Sequence, residues 1–142
     1  MKKDWIRLTL GSLQVFVGLG AVAGGIGLVS DPSGLNVGMS TEILADTPFS
    51  NFLVPGLALL AINGLGSLLG SFLTFTQRPF AATAAIALGI LLIAWIVIQV
   101  YWIGLVHWLQ PLYLGLGILE LALGLMLAGP SEPEPLTPQK LV

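Results

Sequence analysis

Glu120 is the residue of this 142-residue chain best placed to do chemistry in apolar surroundings. It lies in a run, Leu109 to Ala128, with no other charged side chain. A charge at the bilayer centre costs about 2.5–3.5 kcal/mol on insertion scales, so a carboxylate there is a functional candidate by default. Asn63 and Gln14 sit near the middle of two other apolar runs. A helical rise of about 1.5 Å per residue puts all three near mid-bilayer, on three different helices. Two chemistries fit. Either Glu120 hydrogen-bonds Asn63 or Gln14 as glue between helices, or it exchanges a proton with a ligand or cation in a central cavity. Glu120, Asn63 and Gln14 form the candidate ligand or proton site.

A second candidate, an outer polar cluster, consists of Gln99, His107 and Gln110. His107 is the only histidine, so a metal would need Asp31, Glu42 or Asp46 beside it, and no HExxH spacing exists. An interfacial histidine bonding backbone or headgroups is the expected role. The absence of cysteine excludes thiolate catalysis, Fe–S ligation and Cys-type zinc sites. There is no GxSxG, no Walker loop and no pair of carboxylates on one helix. Gly18-Leu19-Gly20 and Gly115-Leu116-Gly117 lie inside apolar runs that would not welcome a phosphate. The expectation is a non-enzymatic protein with no metal and no cofactor.

The elements that must position these groups are dictated by composition. The chain is 56% hydrophobic and only 8% charged, with a mean hydropathy of +0.96. A soluble domain is about 25% charged, so this one lacks the polar side chains to cover a water-facing surface. Five basic residues and a net charge of -2 exclude the basic stripe of a nucleic-acid binder. About 20 apolar residues cross the hydrocarbon as a helix. Four runs qualify, over about 5–29, 52–76, 80–104 and 109–128, and none alternates as a strand would. The fold class is an all-α membrane protein, a bundle of four transmembrane helices within residues 1–129.

The breaks between runs are chemically explicit. Asp31-Pro32-Ser33-Gly34 is a turn in which Asp closes an Asx-turn and Gly accepts a positive φ. Gln77-Arg78-Pro79 ends the second helix and His107 to Pro111 separates the last two. In the 30–51 loop, Ser40 to Ala45 reads as one or two helical turns with Ser40 or Thr41 as N-cap. That loop is apolar enough to fold back as a cap on the bundle. After Gly129, four prolines between Pro130 and Pro138 give a disordered tail over 130–142.

With four spans, Lys2, Lys3, Arg7, Arg78 and Lys140 share one side, and Asp31, Glu42 and Asp46 the other. The positive-inside rule then puts both termini in the cytoplasm. Met1-Lys2-Lys3 before an apolar run imitates a signal peptide, but Asp4, Gln14 and the glycines argue for an uncleaved first span. Eighteen glycines supply close packing: Gly20/Gly24 and Gly66/Gly70 as GxxxG pairs, Gly11/Gly18/Gly25 and Gly117/Gly124 at intervals of seven. They serve contacts within the bundle or a homodimer face. Trp5, Tyr101, Trp102, Trp108 and Tyr113 read as interface anchors.

The order of landmarks, a glycine-rich first helix ending in Asp31-Pro32-Ser33-Gly34, then Thr47-Pro48-Phe49, Pro55-Gly56, Trp95, Gln99 and Gln110-Pro111-Leu112-Tyr113, resembles small bacterial four-helix membrane proteins of the DoxX-like kind. The resemblance spans residues 5–128 and implies a compact bundle in a bacterial cytoplasmic membrane. The expected function is binding of a lipid-like molecule or a membrane protein partner, with membrane lipids and a second copy of the chain among the partners. The alternative is a proton-coupled carrier of a hydrophobic or cationic solute using Glu120.

Overall fold

The computed structural model describes residues 3–130. The tail expected over 130–142 therefore falls, from residue 131 on, outside the described residues, as do Lys2 and Lys140. Four helices are each long and apolar enough to cross a membrane: α1 (Asp4–Ser30), α2 (Leu53–Phe75), α3 (Ala81–Ile103) and α4 (Leu109–Ala128). No strand occurs among the described residues. This is the architecture of a multi-pass membrane protein, with boundaries close to the expected runs.

The helices alternate in direction. Lys3 Nζ donates to Leu127 O at 2.9 Å and to Gly129 O, so the start of α1 closes the end of α4. A cation there also complements the α4 dipole. The α2–α3 turn shares this termini end, while the 31–52 loop and the α3–α4 turn form the cap end. Both α1 and α3 pack against α2 and α4, leaving α1 diagonal to α3.

Two glycine seams set the helix spacing. A methyl group at Gly25 would lie 2.7 Å from Leu60 Cβ and 2.8 Å from its Cα, and one at Gly18 would lie 3.2 Å from Gly64 O. Gly56 is equally tight against Leu28, so α1 and α2 touch backbone to backbone along much of their length. Between α3 and α4, a methyl at Gly89 would meet Leu121 N at 2.7 Å, and Gly117 and Gly124 face Ile93 and Ile86. These glycine patterns thus serve contacts inside one bundle. Where hydrocarbon supplies no hydrophobic drive between helices, such close approach is what holds them.

The middle of α2 departs from expectation, because Leu59–Leu65 is π-helical. Its contacts with α1 fall on Gly56, Leu60, Gly64 and Leu68, every fourth residue. On a regular α-helix a four-residue step drifts about 40° around the axis. The wider π turn absorbs that drift and keeps α2 against the glycine stripe of α1.

Outside the seams the helices expose Leu8, Phe16, Leu69, Phe72, Ile90 and Leu119. Over an apolar stretch of 18 residues in each span, only 33% in α1 and 28% in the others is buried, which leaves a surface suited to lipid rather than water.

The 31–52 loop folds back as expected. Thr41–Leu44 is a 3-10 turn whose N-cap Ser40 accepts from the Glu42 amide. Leu44 and Phe52 bury against Leu28, with Phe49 and Ile103 at the edge. Gly34 takes the anticipated positive φ of 81°. Of the expected interface aromatics, Trp5, Tyr101 and Trp108 are exposed, and Trp102 sets its ring edge-on to Phe49 at 5.7 Å. Tyr113 departs from the belt: it stacks on Phe16 at 6.4 Å, and its hydroxyl occupies the space that Gly20 leaves open.

Candidate functional site

Glu120 and Gln14 are both fully buried, and Gln14 Nε2 donates to Glu120 Oε1 at 3.2 Å. The pairing follows from the packing. Lys3 fixes the ends of α1 and α4, and Ile6 and Leu10 pack with Leu123 and Leu127 between them. One turn further toward the cap, the same faces carry Gln14 and Glu120. Gly70 on α2 makes room for the amide, since a methyl there would lie 3.0 Å from Gln14 Nε2.

A third member was missed by the sequence reading. Thr74 Oγ1 lies 2.8 Å from Gln14 Oε1 and 2.9 Å from Gly70 O, and is itself fully buried. The chain of contacts Glu120–Gln14–Thr74 therefore joins α4, α1 and α2. A periodic signal for it exists: Asn63, Ser67, Gly70 and Thr74 recur at helical spacing on one face of α2, and all are buried. Ser and Thr inside an apolar run read as incidental until that spacing is noticed.

Asn63 does not join the Glu120 pair. The antiparallel register sets Gly11 against Phe75, Gly18 against Gly64 and Leu68, and Gly25 against Leu60. Gln14 is thus level with the Gly70–Thr74 turn, and Asn63 with Val22. From Gln14 to Val22 is two turns, about 12 Å at a rise of about 1.5 Å per residue. The expectation of one shared depth is corrected accordingly: counting from helix ends ignored the offset with which α2 packs on α1. Asn63 is 2% exposed and its Nδ2 has no partner. Glu120 Oε2 has none either.

The Glu120 network admits two complete hydrogen-bond patterns. Thr74 has one hydroxyl proton and two acceptors within reach. If it donates to Gln14 Oε1, Gln14 Nε2 donates onward to a Glu120 oxygen. If it donates to Gly70 O, the reversed Gln14 amide donates to Thr74 Oγ1, and its oxygen accepts from a protonated Glu120. Amide orientation and the protonation state of Glu120 are coupled through the same three side chains.

The outer polar residues separate in the structure. Gln110 Oε1 accepts from the amides of Val106 at 2.8 Å and His107 at 3.2 Å, and its Nε2 donates to Gly104 O at 3.2 Å. Its whole side chain is spent closing the α3–α4 turn. His107 is exposed, with Nδ1 accepting from the Leu109 amide at 3.1 Å. Gln99 is half-buried on α3 and bonds neither of them. Among the described residues no group of His, Asp and Glu is arranged to hold a metal.

A shallow, open apolar hollow of about 330 Å³ lies on the exposed side of α3 near the cap end, lined by Val97, Ile98, Tyr101 and Trp102. A second hollow of similar volume lies in the cap itself, between Thr41 and Ser50. Comparison with known protein families, curated proteins and solved structures gave no match.

Proposed function

We propose that this protein is a non-enzymatic component of a bacterial cytoplasmic membrane, loosely DoxX-like, with both termini cytoplasmic, that binds a lipid-like molecule. The observation that carries the reading is the hollow formed by Val97, Ile98, Tyr101 and Trp102. Its lining is apolar with two aromatic rings near the cap end of α3, which suits an acyl chain lying along the helix. The orientation is supported by charge. Lys3, Arg7 and Arg78 lie at the termini end, whereas Asp31, Glu42 and Asp46 lie at the cap end. A membrane protein partner, or a second copy of the chain, would meet the same apolar faces.

The test is lipid retention. Protein purified from native membrane and passed through repeated detergent exchange should keep a stoichiometric lipid, detected by native mass spectrometry. Val97→Trp, which fills the hollow, should release it. Loss of all lipid from the unmodified protein, or equal retention by Val97→Trp, would sink the reading.

A second reading, proton-coupled transport of a hydrophobic or cationic solute, draws on one observation: Glu120 is fully buried, yet one of its carboxyl oxygens has no partner. Proteoliposomes under a pH gradient should then take up tetraphenylphosphonium, and Glu120→Gln should abolish the uptake. Equal uptake by the two proteins would dismiss this reading.

A further inference from the structure

The inner face of α2 carries a row of buried polar side chains. Asn63, Ser67 and Thr74 are all at most 2% exposed, and they stand on one face at intervals of four and seven residues. The row starts at Thr74, in the Glu120–Gln14–Thr74 contacts, and runs about 16 Å along α2 toward the cap end before reaching Asn63. Its hydrogen-bonding capacity is conspicuously unspent. Asn63 Nδ2 and Glu120 Oε2 have no partner, and Ser67, one turn from Asn63, is likewise buried. Ser71 belongs to a different arrangement, since its hydroxyl donates to Leu68 O at 2.7 Å within its own helix.

Orphaned buried donors and acceptors each cost about 1–3 kcal/mol, more in hydrocarbon, where nothing else can serve them. Buried water makes about three bonds to such groups and needs polar partners on two or more sides. Here Asn63 and Ser67 stand four residues apart, one helical turn, on the same inner face of α2, on the cap side of the Glu120–Gln14–Thr74 contacts. We propose that the Asn63–Ser67 row binds water molecules that relay protons to Glu120.

The π turn is part of this site. It carries Asn63 on the inner face, while neighbouring Gly64 stays against Val22 of α1. The groups joined to Glu120 add no other charge: Gln14 of α1 bonds it and Thr74 of α2 bonds Gln14, while the α3 residues facing Gly117, about one turn away on α4, are the apolar Leu92 and Ile93. On α4 itself the other titratable side chain is Tyr113, which is turned toward Phe16. A proton moving along the row would therefore have one terminal acceptor, Glu120. Hydration of the row is independent of whether any solute is transported, so this inference stands or falls apart from the carrier reading.

The experiment has two readouts on the full chain in nanodiscs. Only three asparagines exist, Asn36, Asn51 and Asn63, so selective labelling resolves the Asn63 side-chain amide, with Asn63→Leu identifying its signal. Its protons should show direct exchange cross-peaks with water. In infrared difference spectra recorded at a pH acid enough to show the protonated Glu120 band, that band should shift within seconds of transfer to D2O. Ser67→Val should slow the shift at least tenfold and leave the Asn63 exchange unchanged. Ser71→Val should alter neither. The proposal is overturned if the Asn63 amide of the unmodified protein shows no water exchange, or if folded Ser67→Val deuterates Glu120 as fast as the unmodified chain. The first readout needs no variant, so misfolding of Ser67→Val cannot rescue the idea.

Discussion

Gln14 of α1 holds Glu120 of α4 at 3.2 Å, and the same amide reaches Thr74 of α2 at 2.8 Å. One side chain thus ties three of the four helices together. Removing Thr74's hydroxyl by the nearly isosteric Thr74→Val leaves Gln14 Oε1 without its donor. Interhelical hydrogen bonds in membranes average about 0.6 kcal/mol and reach about 1.7 kcal/mol. A loss within that range is expected in chemical unfolding from mixed micelles. Glu120→Gln should be close to neutral because the acceptor survives, whereas Glu120→Leu should cost more than Thr74→Val, since it strands a buried amide. If Glu120→Leu proves as stable as Glu120→Gln, the pair contributes nothing to the fold.

The glycine seams make a sharper prediction, because neighbouring glycines differ in what faces them. Gly25→Ala would push its methyl onto the Leu60 backbone, and Gly89→Ala onto the Leu121 amide at 2.7 Å. Backbone cannot swing aside as a side-chain tip can, so each should destabilise by about 1–3 kcal/mol. Gly115 faces open space, and Gly115→Ala should leave stability unchanged or slightly raised. Thermal melts of the three variants, followed by circular dichroism in one detergent, provide the comparison. Equal melting temperatures would mean that the seams are looser than this register requires.

The sequence made the four helices legible because hydropathy and explicit breakers speak directly to span and turn. An N-cap at Ser40 or Thr41, of which the structure uses Ser40, Gly34 in its positive-φ turn and the apolar fold-back of the loop followed from local chemistry alone. Depth did not. Placing Asn63 beside Glu120 assumed that helices are counted from their ends, whereas the glycine stripe of α1 decides where α2 sits. The π turn was hidden for a related reason, since it answers a packing mismatch between two helices and no residue announces it. Gln110 read as a member of an outer polar cluster and is a turn clip, because only the folded turn brings the Val106 and His107 amides onto its oxygen.

The end of α2 holds a residue in an unfavourable conformation. Gln77 has φ 54°, and the Arg78 amide donates to Leu73 O while the Gln77 amide donates to Thr74 O, the Schellman pattern. That position ordinarily takes glycine, and other residues lose roughly 1–2 kcal/mol there. Gln77→Val, branched at Cβ, should lower stability by about 1–2 kcal/mol, and Gln77→Gly should not. Destabilisation by both would assign the Gln77 side chain a contact of its own.

At the cap end, Asp31 organises the start of the 31–52 loop. Its Oδ1 accepts from Ser33 Oγ at 2.6 Å and from the Ser33 amide at 3.3 Å, and its Oδ2 accepts from the Asn36 amide at 3.1 Å. These bonds hold the carboxyl below its ordinary value of 3.8, the Ser33 hydroxyl contributing most and the Asn36 amide next. A lowered value means that the folded loop favours the charged form. The stabilisation is complete above the ordinary carboxyl range and is lost as pH falls through the lower folded value. Amide signals of Ser33 and Asn36 should therefore hold position from neutral pH to about 4 and shift together below it, given the ordinary Asp value. Asp31→Asn should move them already at neutral pH, because a neutral amide offers one acceptor oxygen where the loop uses two. Signals that titrate in the ordinary carboxyl range would show that the Ser33 and Asn36 bonds do not govern this turn in solution.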